Sequence, residues 1–290
     1  MAGSERIAPF LRWAGGKRWF CNKIHKYLPN DFTDYYEPFL GGGAIFFYLY
    51  AQGYLKENIH LSDFNQELML AYRCVRDDYD SLAADLDGFE YTEDEYYIIR
   101  DRYNSNTCTE YEKGLYFLYL NITGFNGIYR VSRDGKYNVP YGHRVYINDN
   151  YPCLLKNDSQ ALRNVDLSCH SFSSFLDDSD FKFAPKSLVF IDPPYTVSHN
   201  NNGFIEYNKK IFDLDSQIKL RTLLDKIDMD DAYFIMTNAR HYRIREIFDG
   251  YYFHDESRAS IIGGKNARRG IFQEYVVTNF AIEKEESLWQ

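Results

Sequence analysis

The sequence predicts an α/β fold with a mainly parallel sheet, interrupted by an inserted subdomain of helices and one β-hairpin. Two observations carry this. Short apolar runs, each ending in a special loop, alternate with helical stretches near both ends of the chain. Between them lies a longer segment of different character, helical, acidic and rich in tyrosine. With 290 residues, 45% of them hydrophobic, the chain is long enough for one large domain carrying a sizeable insertion.

In order, residues 35–40 read as a strand that enters Gly41-Gly42-Gly43, and residues 44–50 then read as a helix. Residues 59–63 form a second strand ending in an acid, followed by a helix over about 65–75. The pattern from about 77 to 120 is helical. Residues 128–132 and 133–140 alternate around Asp134-Gly135, a hairpin signal. These features put the insertion at 76–155, which leaves 1–75 and 156–290 as the α/β body. Residues 187–191 form a strand entering Asp192-Pro193-Pro194-Tyr195, and residues 232–237 and 274–280 complete the strand set.

Composition excludes several classes. Twenty-seven Tyr and 22 Phe beside only 8 Pro exclude disorder. No apolar run approaches the roughly 20 residues of a membrane span, and the N-terminus has no apolar leader core, so a cytoplasmic protein is expected. Five scattered cysteines without a CxxC pair read as reduced thiols. The seven dispersed histidines give no metal-ligand spacing, so no metal is expected. The net charge of −9 is local: residues 78–112 alone carry eleven acids and two Arg. Residues 1–26 are net +5, and residues 127–146 and 239–270 each net +3. Local patches of this kind decide whether a phosphate backbone can be held. Ordinary solvated faces are the competing reading.

Asp192-Pro193-Pro194-Tyr195 is the most informative tetrapeptide. Two prolines stiffen the strand exit and remove two backbone donors. The Asp192 carboxylate and the Pro193 carbonyl are then two adjacent acceptors suited to an amino group, with Tyr195 offering a stacking face. A Pro-rich turn capped by Asp and Tyr is the structural alternative. Residues 39–43 sit at a strand-to-helix turn where glycines admit a ligand to the backbone. They are not the dinucleotide fingerprint, because position 46 is Phe. Ala14-Gly15-Gly16-Lys17 is not a P-loop, because Arg18 follows. Asp63 stands where an acid commonly meets ribose hydroxyls, although a helix cap would also use it. Together these features point to an adenosine-containing cofactor that need not carry a pyrophosphate.

Five blocks then occur in a specific order: residues 11–17, residues 37–43, residues 121–130, residues 137–142 and Asp192-Pro193-Pro194-Tyr195. The chain resembles the Dam family of S-adenosyl-L-methionine-dependent DNA adenine methyltransferases over about residues 10–280. The resemblance implies a Rossmann-like methyltransferase sheet, with the 76–155 insertion as a target-recognition domain. It implies that Trp13, Lys17, Phe39, Gly41, Asp63 and Asp192 contact S-adenosyl-L-methionine, with Phe172 packing on its adenine. Asp192, Pro193 and Tyr195 match the groups that hold a flipped target adenine. Phe125, Asn126, Ile128 and Arg130, with Asn138, match the hairpin that enters double-stranded DNA. Arg12 stands where the family usually has a guanine-reading Lys; Arg pairs with guanine bidentately, worth about 1–3 kcal/mol of discrimination. Lys265, Arg268 and Arg269 lie in the family's late basic segment and are expected at phosphates. GATC is the implied site, in a bacterial cell or a phage-infected host.

The physics suits that reading. A stacked base must leave the duplex before its amino group can enter a pocket, at a few kcal/mol, and Phe125 offers an aromatic to fill the gap. Core packing is the alternative for the hairpin aromatics. Other readings remain. Relatives that methylate cytosine begin the tetrapeptide with Ser, and those that methylate protein glutamine begin it with Asn; this chain has Asp192. A restriction-modification enzyme with a different site, or an inactive DNA-binding relative, is also consistent with the sequence.

Overall fold

A computed structural model describes residues 7–105, 107–143, 150–195, 212–259 and 271–282. In chain order its principal elements are α1 (Arg18–Ile24), β1 (Tyr35–Glu37), α2 (Ala44–Ala51), β2 (Ile59–Asp63), α3 (Gln66–Asp77), α4 (Tyr79–Gly88), α5 (Glu93–Tyr103), α6 (Glu110–Thr123), α7 (Tyr151–Leu162), β3 (Asp166–Cys169), α8 (Ser174–Asp177), β4 (Leu188–Ile191), α9 (Leu214–Met229), β5 (Tyr233–Ala239), α10 (Tyr242–Ile247), β6 (Tyr252–Ala259) and β7 (Ile271–Thr278). The fold is mixed α/β, as the sequence predicts. Two units divide the chain: Met1–Cys21 with Leu40–His170, and Asn22–Phe39 with Ser171–Gln290.

In the first unit β2 and β3 pair in parallel, with Leu61 opposite Leu167 and Asp63 opposite Cys169. Helix α3 starts where the Asn65 side chain accepts the Leu68 N–H at 3.0 Å, filling one of the unpaired donors of the first turn. Helix α6 opens on a capping box: Thr109 and Glu112 bond each other's backbone N–H. From Gly114 to Thr123 every residue of α6 is buried, so this helix is enclosed on all sides. Its close approach to α3 requires glycine: a Cβ on Gly114 would lie 2.4 Å from Cys74 Sγ and 2.8 Å from the Leu70 carbonyl oxygen.

The tyrosines of this unit bury rings while their hydroxyls satisfy loop carbonyls. Tyr96 donates to Val139 O at 2.8 Å, Tyr119 to Glu90 O at 2.7 Å and Tyr141 to Tyr91 O at 2.8 Å. An aromatic with a polar tip can thus close a loop over a core at little desolvation penalty. The expected hairpin forms. Ser132 N–H donates to Lys136 O at 2.7 Å, and Gly135 at φ 75° turns the three-residue loop. It is held by the isolated bridges Val131–Tyr137 and Gly124–Tyr141 rather than by a continuous ladder.

In the second unit β1, β4 and β5 run parallel, and β7 pairs antiparallel with both β5 and β6, giving the order β1-β4-β5-β7-β6. β1 stops at Glu37, short of the expected residue 40, at the point where Pro38 has no N–H for a ladder. Val189, Ile191, Phe234, Met236 and Val277 bury one face of these strands with Leu220, Leu223, Leu224 and Ile227 of α9. Burying each such side chain contributes about 1.5–3 kcal/mol. Strands β3 and β6 were not expected. β3 has only Leu167 fully buried, and β6 is polar, so neither shows the apolar run or strict alternation of a core strand. Among the described residues no helix is long and apolar enough to cross a membrane, and no cluster of His, Cys, Asp or Glu could hold a metal ion. The five cysteines are thiols rather than disulfides.

Candidate active site

In the first unit the glycine loop is built onto the end of β2. Leu40 N–H donates to Ser62 O at 3.0 Å, Gly43 N–H returns to Leu40 O at 2.8 Å, and Gly43 caps α2. Gly41 at φ +49° and Gly43 at φ +64° occupy the left-handed region that side chains resist. Gly41 has a second reason to lack a side chain, because its Cβ would lie 2.8 Å from Trp13 Cδ1. Trp13 therefore rests on this loop, with Tyr129 stacked at 5.6 Å between ring centroids and 25° between planes.

Asp63 ends β2 beneath the same loop. Its Oδ2 accepts the Gly41 N–H at 2.9 Å, and its Oδ1 accepts the Asn65 N–H at 2.9 Å. Burial pushes this carboxyl up, and the N–H groups of Asn65, Gly41 and Phe64 act against that rise. Each carboxylate oxygen keeps further lone pairs for a ligand hydroxyl. The next residue, Phe64, is 76% exposed. A strand-end carboxylate followed by a bare aromatic ring fits an adenosine group, which offers a diol and a flat base. Phe64 belongs to no motif in the sequence, and its one signal there is its place directly after Asp63. Lys17 is buried and folds back, its Nζ donating to Gly15 O at 3.2 Å.

The same unit joins Arg12 to the hairpin. Asn121, buried at the end of α6, accepts Arg12 N–H at 3.0 Å and donates to Arg12 O at 2.9 Å and Gly127 O at 3.1 Å. A Cβ on Gly127, at φ +62°, would meet the Arg12 side chain at 2.6 Å. Two motifs more than a hundred residues apart are thus one structure, and Asn121 is the clamp. Phe125 is 50% exposed, and Asn126 takes a left-handed φ of 55° in the turn Phe125–Gly127. Ile128 follows, half-buried. Arg130 and Asn138, both exposed, pair with each other: Nε donates to Asn138 Oδ1 at 2.7 Å and Nη2 to Asn138 O at 2.9 Å.

In the second unit Asp192 leaves β4 beside β5, where Thr237 Oγ1 donates to Asp192 Oδ1 at 2.8 Å. Pro193 is buried. Tyr195 Oη donates to Glu274 Oε2 at 2.5 Å, and Arg258 Nε donates to Glu274 Oε1. Burial first, and then the charges of Glu274 and Asp192, hold the Tyr195 phenol well above its ordinary value. Phe39, Phe172 and Phe212 form an aromatic cluster, with ring centroids 5.2 Å apart for Phe39–Phe172. Thr237 and Glu274 were both missed by sequence reading. The signal for Thr237 is a hydroxyl ending an apolar run, and for Glu274 an acid directly before the run Tyr275-Val276-Val277. Lys265, Arg268 and Arg269 lie outside the described residues.

Residues 13–262 match the family of D12 class N6 adenine-specific DNA methyltransferases. The type II methyltransferase M.MjaIII of Methanocaldococcus jannaschii is 36% identical over 253 residues, covering 80% of this chain and 84% of that protein. The type II methyltransferase M1.LlaDCHI of Lactococcus lactis is 28% identical, covering 94% of this chain and 96% of that protein. The DNA adenine methylase of Haemophilus influenzae is 30% identical, covering 84% of each. A tetrapeptide whose acid is oriented from the neighbouring strand, a glycine loop on a strand-end carboxylate, and a family match spanning both identify the protein: this chain is an enzyme of the D12 class of N6 adenine-specific DNA methyltransferases.

Proposed function

We propose that the protein takes a methyl group from S-adenosyl-L-methionine and places it on the 6-amino group of an adenine flipped out of duplex DNA, within GATC. The observation that carries this reading is Asp192, fixed by Thr237 at the exit of β4 and followed by two residues without N–H groups. Trp13, Lys17, Phe39, Gly41, Asp63, Phe172 and Asp192 are the residues assigned to the cofactor, with Phe64 added beside Asp63. When bound, it supplies an electrophilic methyl on a sulfonium. Asp192 accepts one N–H of the target amine and the Pro193 carbonyl accepts the other, which draws electron density onto the nitrogen. Tyr195 stacks on the base. The amine proton becomes acidic only as the nitrogen gains its methyl and the carbon–sulfur bond breaks to leave S-adenosylhomocysteine, so Asp192 can take that proton and pass it to solvent without being a strong base.

Residues 76–155 serve as the recognition domain in this proposal. Phe125 fills the vacated stack, Arg12 reads a guanine, and Asn126, Ile128, Arg130 and Asn138 line the hairpin. Lys265, Arg268 and Arg269 are assigned to phosphates. Two relatives are named type II methyltransferases, and a second reading keeps the chemistry but changes the setting, namely the modification half of a restriction system whose target differs from GATC.

The test is transfer of labelled methyl to DNA, followed by sequencing that locates the modified adenines. Modification confined to GATC supports the full proposal, and adenines in another context select the second reading. No transfer to duplex DNA despite cofactor binding overturns it. Asp192→Ala is expected to abolish transfer while duplex binding stays within a few fold; equal loss of both would remove the catalytic role.

A further inference from the structure

Tyr195 is the only aromatic of the catalytic tetrapeptide, and its hydroxyl is already committed. It donates at 2.5 Å to Glu274, whose side chain is fully buried in β7. The other oxygen of Glu274 receives Arg258 Nε from β6. A fully buried carboxylate carries a large desolvation penalty unless it is ion-paired and hydrogen-bonded. Its position adds a second penalty: Glu274 lies directly opposite Glu256 in the β6–β7 register, where like charges on one face repel. The sheet answers with two similar sets. Glu256 binds Tyr27 Oη at 2.8 Å and Lys23 Nζ at 2.5 Å, while Glu274 binds Tyr195 and Arg258. The first set ties α1, through Lys23, and the segment after it, through Tyr27, to β6. The second ends on the tetrapeptide.

We propose that Glu274, with Arg258 as its counter-charge, is a positioning residue that clamps the Tyr195 hydroxyl so that the phenol presents its ring face, and not its hydroxyl, to the target base. This rests on the assignment of Tyr195 to the flipped adenine. Tyrosine rather than phenylalanine occupies position 195 because the hydroxyl is the anchor. A ring held at both ends stacks without losing rotational freedom when the base arrives. Glu274 touches no reacting atom and acts through Tyr195 alone.

The experiment compares Glu274→Gln, Tyr195→Phe and the double variant of the full-length enzyme. The readouts are kcat, KM for DNA, and emission from a duplex with 2-aminopurine replacing the adenine that the wild-type enzyme methylates. A hydrogen bond to a charged group of this kind converts to about a tenfold effect or somewhat more. Each single change is therefore expected to lower kcat about tenfold, with KM within threefold, and to alter the 2-aminopurine emission. In the Tyr195→Phe background, Glu274→Gln is expected to change kcat less than about twofold, because the bond it would break is already gone. Tyr27→Phe removes the corresponding bond of the neighbouring set and is expected to lower the melting temperature without moving kcat or the emission. Effects that multiply in the double variant would overturn the inference, as would Tyr27→Phe moving the emission equally. Absence of methyl transfer by the wild-type enzyme would instead overturn the role of Tyr195 itself, a distinct result.

Discussion

Asp158 on α7 is fully buried, and among the described residues neither carboxylate oxygen has a partner in good hydrogen-bond geometry. Burial raises its pKa from 3.8 to about 8, outweighing the Ala8 N–H and the Arg18 charge, which favour the ionised form. Between these two values the folded chain keeps a proton that the unfolded chain has released. Stability therefore falls as pH rises from about 4 to about 8 and levels off above that. At pH 7 roughly three pH units separate the solution from the unfolded pKa, and at 1.36 kcal/mol per unit the penalty is roughly 4 kcal/mol. Asp158→Asn removes the titration, and its unpartnered amide costs about 1–3 kcal/mol in return. The variant should thus be the more stable form at pH 8 and the equal or weaker one at pH 5. For a chain of this size the difference in melting temperature between the two proteins should shift by several degrees across that range. Thermal unfolding followed by circular dichroism at pH 5, 6, 7 and 8 gives the measurement. A difference that stays constant with pH would show that Asp158 does not titrate in this window, and would refute the reasoning.

Three further outcomes are expected. Gly41→Ala forces a Cβ to 2.8 Å from the Trp13 indole at a left-handed φ, so tryptophan emission should shift and cofactor affinity fall about tenfold, an effect of about 1.4 kcal/mol; unchanged titration curves would count against the loop as a cofactor support. Gly114→Ala gains helix propensity of about 1 kcal/mol but overpacks Cys74 and Leu70, and chemical denaturation should show a net loss of about 1–2 kcal/mol. Phe125→Ala, at a half-exposed ring, should leave stability within about 0.5 kcal/mol while reducing 2-aminopurine emission from a bound target duplex; a loss of stability without a change in emission would make Phe125 a packing residue.

What the sequence by itself determined is the chemistry carried by contiguous residues. Asp192-Pro193-Pro194-Tyr195, the glycine turn before α2, the acid ending β2 and the Asp134-Gly135 hairpin were all legible there. Each depends on local backbone preference: a missing N–H at proline, a positive φ at glycine, an acid at a strand terminus. The tertiary structure decided what those groups lean on. Nothing near Asp192 names Thr237, and nothing near Tyr195 names Glu274 or Arg258, because strand pairing brings them together across 45 to 79 residues. Gly41 looked like an opening for a ligand, and folding shows that the Trp13 indole also requires it. Arg12 and Gly127 became neighbours only through Asn121, an amide whose three bonds exist once α6 is enclosed. Strands β3 and β6 stayed hidden for a related reason. Their polar residues are matched by partners on other strands and helices, as Glu256 is by Lys23 and Tyr27, so their own hydropathy gives no period. Local conformation is determined within a few residues, whereas the partners of a buried charge are chosen by packing, which only the folded chain specifies.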